Sequence, residues 1–262
     1  MPKSDSATPN LAEGEYAKKQ LFTKSWLINW SHGSRFKLAV DLAEMFAGKR
    51  VLDYGCGDGT FLAMIMAGRF RPASAVGAEV FEQQVVDCRT NHTMPDLSFV
   101  RIAELERPEY AHRFDGLVCM EVLEHVVDLN GILESWRRLL APGAKLLISV
   151  PVETGPVLAG KQIMRRVAGW RGIGDYPGLS PYTWSEFSRA LVAGRRQHMT
   201  RPVHKTPDGG DYHCHKGFNW RALREALAAK FALERQLSSP LRFLPAGWGS
   251  QAWFVLRNEV PA

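Results

Sequence analysis

Val51-Leu52-Asp53-Tyr54-Gly55-Cys56-Gly57-Asp58-Gly59-Thr60-Phe61-Leu62 joins a short apolar run to a glycine-rich turn and the turn to a second apolar run. A brief apolar run that ends in glycines reads as a buried strand. The glycines let the backbone bend sharply and approach a ligand without Cβ interference. The helix that follows presents unpaired N–H groups at its first turn. Outward from this point strands and helices alternate. Strands are expected at 50–54, 74–79, 97–102, 115–120 and 145–151, and helices at 59–68, 82–91 and 128–140. Pro142-Gly143 stops the last of these helices. Such alternation builds βαβ units and a parallel sheet covered on both faces.

The flanks complete the architecture. From Gln20 to Ala47 apolar residues recur at helical spacing, interrupted at His32-Gly33-Ser34. After Pro151 the alternation lapses for about sixty residues, a long gap for a fold of this kind. A basic helix is expected at 156–170, a loop at 172–182, and a helix at 183–194 with Thr183 and Glu186 at capping-box spacing. A polar stretch rich in His, Gly and Pro fills 200–217. A helix at 219–230 capped by Asn219, a strand near 232–238 and a final strand at 251–257 close the chain. The fold class expected is α/β: a Rossmann-like doubly wound sheet of about seven strands, the last antiparallel. By this reading 1–14 is a disordered tail and 15–47 a helical cap. Residues 48–152 and 218–258 form the ligand-binding core, and 153–217 is a substrate lid beside the carboxyl edge of the sheet.

Composition places the chain among ordinary globular proteins, with 45% hydrophobic and 23% charged residues. No run nears the roughly 18 apolar residues of a membrane span, and the polar N-terminus has no signal core. A cytoplasmic location is expected. The four cysteines lack CxxC spacing, as reduced buried thiols do. A net charge of +6 favours an anionic partner. Much of the excess crowds one stretch, where Arg165, Arg166, Arg171, Arg195, Arg196, His198, Arg201, His204 and Lys205 lie. That stretch reads either as a solvated basic face or as a binding surface.

The turn separates two kinds of ligand. A dinucleotide turn carries a third glycine where this chain has Thr60, and Asp53 precedes the first glycine by two. A carboxylate there repels a pyrophosphate and attracts a cation, or braces the turn. Glu79, at the end of the next strand, sits where an acidic residue meets ribose hydroxyls.

With these features, VLDYGCGDGTFL resembles the glycine-rich signature of class I S-adenosylmethionine-dependent methyltransferases. Met120-Glu121-Val122-Leu123-Glu124-His125-Val126 and LLAPGAKLLISVP resemble stretches of the ubiquinone-biosynthesis-like small-molecule group. The resemblance covers residues 35–152 well and 217–258 loosely. It implies S-adenosyl-L-methionine as cofactor and S-adenosyl-L-homocysteine as product. It also implies Gly55, Cys56 and Gly57 against the methionine moiety, with Asp53 near its amino group or bracing the loop. Glu79 would take the ribose hydroxyls, Val80 would flank the adenine, and Met120 and Glu121 would lie near the sulfonium. Glu104, or a backbone group, would meet the adenine amino group. Arg35 either pairs with the cofactor carboxylate, as its guanidinium fork suits, or is a surface residue.

Methyl transfer needs an aligned nucleophile, exclusion of water and sometimes a base. His125 is the first candidate base, just past the fourth strand, against a local role at the helix start; His213 and His215 are the second. His204, Asp208, Asp211, His213, Cys214 and His215 have spacing that permits a metal. A loop that binds substrate or caps the next helix accounts for them more simply, and no metal is expected. Trp170, Tyr176, Tyr182 and Trp184, interleaved with arginines, suit an apolar or sugar pocket with a basic rim. The basic amphipathic stretch 157–170 either packs on the core or touches a membrane surface.

The reading that joins these features is methylation of an O or N atom of an anionic small molecule or glycan biosynthetic intermediate, by a monomer or homodimer. No nucleic-acid module is recognisable. An RNA or protein methyltransferase using the basic insertion is one alternative, and a non-catalytic cofactor-binding scaffold is another. An NAD-dependent dehydrogenase ranks last because of Thr60.

Overall fold

The computed structural model describes residues 26–170, 182–197, 199–206, 209–245 and 247–259. The expected tail at 1–14, the start of the cap, the loop at 172–181, Tyr176, His198 and Asp208 lie outside them, as do the side chains of Arg165, Arg166 and Trp170.

Seven strands form one sheet: β1 (Arg50–Tyr54), β2 (Ser74–Glu79), β3 (Leu97–Arg101), β4 (Phe114–Met120), β5 (Leu140–Pro151), β8 (Ala232–Ser239) and β9 (Gln251–Arg257). Their order is β3-β2-β1-β4-β5-β9-β8, so the winding reverses between β1 and β4. β1 pairs in parallel with β2 and with β4, and β2 pairs in parallel with β3; β9 runs antiparallel to β8. The helices are α1 (Trp26–Leu42), α2 (Thr60–Ala67), α3 (Glu82–Asn91), α4 (Leu129–Leu139), α5 (Pro156–Trp170), α6 (Trp184–Leu191) and α7 (Trp220–Ala228). The chain divides into two compact units. One comprises the described residues up to Cys119 and Arg137–Leu147; the other comprises Met120–Trp136 and Ile148–Glu259.

In the first unit the apolar strands are explained by burial on both faces. Val51, Leu52 and Tyr54 of β1 and Ala75, Val76 and Ala78 of β2 are all buried. α2 is apolar almost all round because Phe61, Leu62, Ala63, Ile65 and Met66 are enclosed. The packing has no slack at Gly77. A Cβ there would stand 2.5 Å from the Phe99 ring and 2.9 Å from Cys56 Sγ.

In the second unit, part of the 153–217 stretch is tied to its neighbours. The Gly155 N–H donates to Ala190 O at 2.9 Å, Lys161 pairs with buried Glu153 at 3.0 Å, and Asn219 Nδ2 donates to Gly194 O and Gln197 O. The expected caps form. The Glu186 N–H donates to Thr183 Oγ1 and the Thr183 N–H to Glu186 Oε2, while Asn219 Oδ1 accepts from the Arg221 N–H.

Three elements differ from expectation. α1 runs unbroken through Gly33, because a mid-helix glycine costs only about 1 kcal/mol and packing can absorb that. β5 begins at Leu140 and carries through Pro142-Gly143, with Gly143 at φ +78°. The stretch 200–217 holds an antiparallel hairpin of β6 (Val203–Lys205) and β7 (Asp211–His213).

Gly77→Ala tests the tight packing beneath the glycine turn. Overpacking of this kind costs about 1–3 kcal/mol, so urea denaturation should show a lower midpoint with an unchanged slope.

Candidate functional site

The glycine turn of the first unit is built by backbone conformations that a side chain would strain. Gly55, Gly57 and Gly59 have φ of +78°, +58° and +75°. At Gly57 a Cβ would meet nothing within 4 Å, so the space beside it is open to a ligand. The turn is held from β2: the N–H groups of Gly55 and Cys56 donate to Ala78 O at 2.8 and 3.1 Å. Glu79 then reaches over it, Oε2 accepting from the Gly57 N–H at 3.0 Å and Oε1 from the Val80 N–H at 2.7 Å. Asp58 Oδ1 accepts from the Thr60 N–H and so satisfies a donor in the first turn of α2.

Support also comes from α3, through residues that the sequence reading did not single out. Cys88 Sγ donates to Gly57 O at 3.2 Å and buried His92 Nε2 donates to Asp58 O at 2.7 Å. Cys88 lies on α3 and His92 directly follows its last residue, Asn91.

Two acidic groups stand beside the turn. Asp53 is buried at the end of β1, and its carboxyl pKa is pushed up to about 8, first by burial and then by the charge of Glu79. Burial raises Glu79 as well, while its two N–H donors pull it back. The Cys56 thiol is pushed well up by its hydrogen bond with Cys88, by burial and by Asp53. A buried carboxyl group and a half-buried carboxylate beside an open turn favour a ligand that brings positive charge and hydroxyl donors. Arg35 is buried with its guanidinium 5.6 Å from the Phe36 ring centre. Val80 is exposed. Glu104 has local partners, Oε1 accepting from the Arg101 N–H at 2.9 Å and Oε2 pairing with Arg107 at 3.0 Å.

The second unit gathers the other candidates. Glu121, just past Met120, has φ +57°, an unusual conformation for a non-glycine residue. Ser149 Oγ donates to its Oε1 at 3.1 Å, and its N–H donates to Ser149 O. Glu124 follows with no exposed surface. Its Oε1 lies 3.9 Å from His125 Nε2 and 4.0 Å from His215 Nδ1, and the two imidazoles meet edge to face at 4.8 Å. His125 Nδ1 lies 2.8 Å from His213 O. A carbonyl only accepts, so Nδ1 carries the proton and in the neutral ring Nε2 keeps the lone pair. The His213 N–H returns a bond to His125 O at 2.9 Å. Arg201 clamps the two segments by donating to Glu124 O and Cys214 O.

His125 and His215 are therefore brought together, whereas His213 touches His125 through its backbone and points its Nδ1 at Pro202 O, 2.9 Å away. Glu124 was not singled out from the sequence. The ligand atoms of Glu124, His125 and His215 lie within 4.8 Å of one another, close enough to share one cation. That set shares only His215 with the cluster considered from spacing. His204 instead stacks on Tyr212, and Asp211 pairs with Lys205.

The chain is 32% identical over 155 residues to the ubiquinone biosynthesis O-methyltransferase of Neisseria meningitidis; the match takes in 53% of this chain and 63% of that enzyme, less than two thirds of its length. The fold matches a Pyrococcus horikoshii protein with TM-score 0.57 at 14% identity, covering 93% of this chain and 98% of that one. It also matches the N-methyltransferase NodS of Bradyrhizobium japonicum with TM-score 0.51 at 13% identity, covering 87% and 97%. Residues 33–194 match the methyltransferase domain family, and the chain belongs to that family.

Proposed function

We propose that the protein is an S-adenosylmethionine-dependent methyltransferase that methylates an O or N atom of a small biosynthetic intermediate bearing an anionic group, in the cytoplasm. The observation that carries this reading is the pair of acidic groups, buried Asp53 and half-buried Glu79, around an open turn of positive-φ glycines. They suit a cofactor with an ammonium group and two ribose hydroxyls, and they oppose a pyrophosphate. The name of the Neisseria relative supports a small-molecule substrate, and the net charge of +6 supports an anionic one.

Bound at the turn, the cofactor supplies an electrophilic methyl group on sulfur. The chain's own residues bind and orient. Glu79 would take the ribose hydroxyls, Asp53 would meet the ammonium, and Gly55, Cys56 and Gly57 would line the methionine moiety. Arg35 would pair with the cofactor carboxylate, Val80 would flank the adenine, and Met120 and Glu121 would lie near the sulfonium. His125, its tautomer held by His213 O, presents Nε2 to take the proton of the accepting group. His215 packs against it, and the 153–217 segment acts as the lid. Where Glu104 is engaged by Arg101 and Arg107, a backbone group meets the adenine amino group.

In a thermal-shift titration, S-adenosylmethionine and S-adenosylhomocysteine should raise the melting temperature while NAD leaves it unchanged. Both shifts should vanish in Glu79→Ala. Stabilisation by NAD would sink the proposal.

Asp53 gives the reading a pH signature. Its folded-state pKa of about 8 lies above the ordinary 3.8, so the folded chain holds the proton more tightly than the unfolded one. This group's contribution to ligand-free stability is therefore present at low pH and is lost as pH rises to about 8. Cofactor affinity should move the opposite way, because the ammonium pairs with the ionised carboxylate. It should rise by up to about tenfold per pH unit below the pKa. Asp53→Asn should flatten the stability profile, raise the ligand-free melting temperature at pH 8, and weaken cofactor binding.

Once a substrate is in hand, His125→Ala should lower kcat by about 10²–10⁴-fold with cofactor affinity little changed by calorimetry. An unaltered kcat would remove His125 from the mechanism.

A further inference from the structure

Arg221, the second residue of α7, takes no part in the reaction above, and its surroundings are unusual for a cation. The guanidinium carbon lies 4.8 Å from the centre of the buried Trp220 ring. Nη1 donates to Thr154 Oγ1 and to Ala193 O, each at a long 3.4 Å. Two glycine backbones flank the group. A Cβ on Gly155 would stand 3.7 Å from both Nη atoms, and one on Gly247 would stand 3.4 Å from Nη2. Thr154 has no exposed surface, whereas Arg221 is half-buried.

The acids that could neutralise it are engaged elsewhere. Glu225 stands at i+4 on α7, the spacing at which a helical ion pair forms. It meets Arg224 Nη1 at 2.7 Å and Arg195 Nε at 3.8 Å instead. Glu153, next to Thr154 in the chain, is enclosed and paired with Lys161 at 3.0 Å. Among the described residues no carboxylate pairs with Arg221. Arg195 adds a second positive charge to the same field. Burial first, and then that neighbour, push the Arg221 guanidinium below its ordinary pKa. A cation partly withdrawn from water is costly to leave uncompensated.

A cap on the chain just past α6, through Ala193 O, accounts for Nη1 and leaves the rest of the fork unused. Among the described residues Nε and Nη2 have no hydrogen-bond partner. These two atoms share one edge of the guanidinium, and such an edge grips a carboxylate or phosphate through two parallel bonds. Trp220 and the flanking glycines hold the plane of the group, so little freedom is lost when an anion arrives. We propose that Arg221, supported by the exposed Arg195, is a subsite for an oxyanion, the carboxylate or phosphate group of the methyl acceptor. That the anion belongs to an acceptor rests on the methyltransferase reading; the anion site itself does not.

The test is a thermal-shift titration of the full chain with sodium phosphate and with sodium acetate, against sodium chloride at equal ionic strength. At least one oxyanion should raise the melting temperature above the chloride control, and the one that does so identifies the acceptor's group. In Arg221→Gln its apparent affinity should fall at least about tenfold, as a lost two-bond charged contact requires. Arg195→Gln, at an exposed position, should lower it about threefold. The shift with S-adenosylmethionine should persist in both variants. Equal responses to all three salts, or an undiminished oxyanion response in either variant, would overturn the site. So would a single-stranded RNA oligonucleotide that binds more tightly than phosphate and is released by Arg221→Gln, which would assign the cations to nucleic acid. A wild type that responds to an oxyanion but not to S-adenosylmethionine would uphold the anion site and sink the methyltransferase reading instead.

Discussion

The hydrogen bonds from the Gly57 and Val80 N–H groups to the Glu79 carboxylate are the constraint on which the glycine turn depends. Three positive-φ glycines at alternate positions would leave a turn with many accessible shapes. Glu79 selects one of them from above, and Ala78 O, Cys88 and His92 select it from the side and below. The clamp is itself ligand-like, because backbone N–H groups occupy the acceptor positions that ribose hydroxyls would use. Displacing them exchanges one set of hydrogen bonds for another, so the net gain on binding is small at this contact. On the proposed reading discrimination comes from charge: Asp53, raised first by burial and then by Glu79, would ionise against a bound ammonium.

That arrangement sets stability against binding. A carboxyl group buried without a cation is most comfortable when protonated. Replacing it with a neutral isostere would favour the empty fold, and keeping it favours the occupied one. Proteins commonly tolerate such a residue where function requires it.

Much of this was legible in the sequence because the signals were local. The period of the apolar runs places β1, α2, β2 and α3, and the Thr183–Glu186 and Asn219 caps follow from spacing. The β6–β7 hairpin was not read, because histidine-rich polarity hid the short Val203–Lys205 and Asp211–His213 runs. Long-range chemistry was not legible. Glu124 has no exposed surface, and His213 turns away while His215 turns in, beside an Arg201 that reaches Glu124 O across 77 residues of sequence. Periodicity has no access to such a contact.

The same clamp bears on what the inserted segment does. A cover that merely excluded water would need only shape. Here His213 O fixes which nitrogen of His125 holds its proton, and His215 supplies the facing imidazole. If His125 accepts a proton, the segment helps to make the base as well as to enclose it, because a free ring would sample both tautomers and two flips. Catalytic competence and closure would then be properties of one structural event. An enzyme so arranged assembles its base only when the segment bearing residues 201–215 is seated, which limits idle reaction of the cofactor with water.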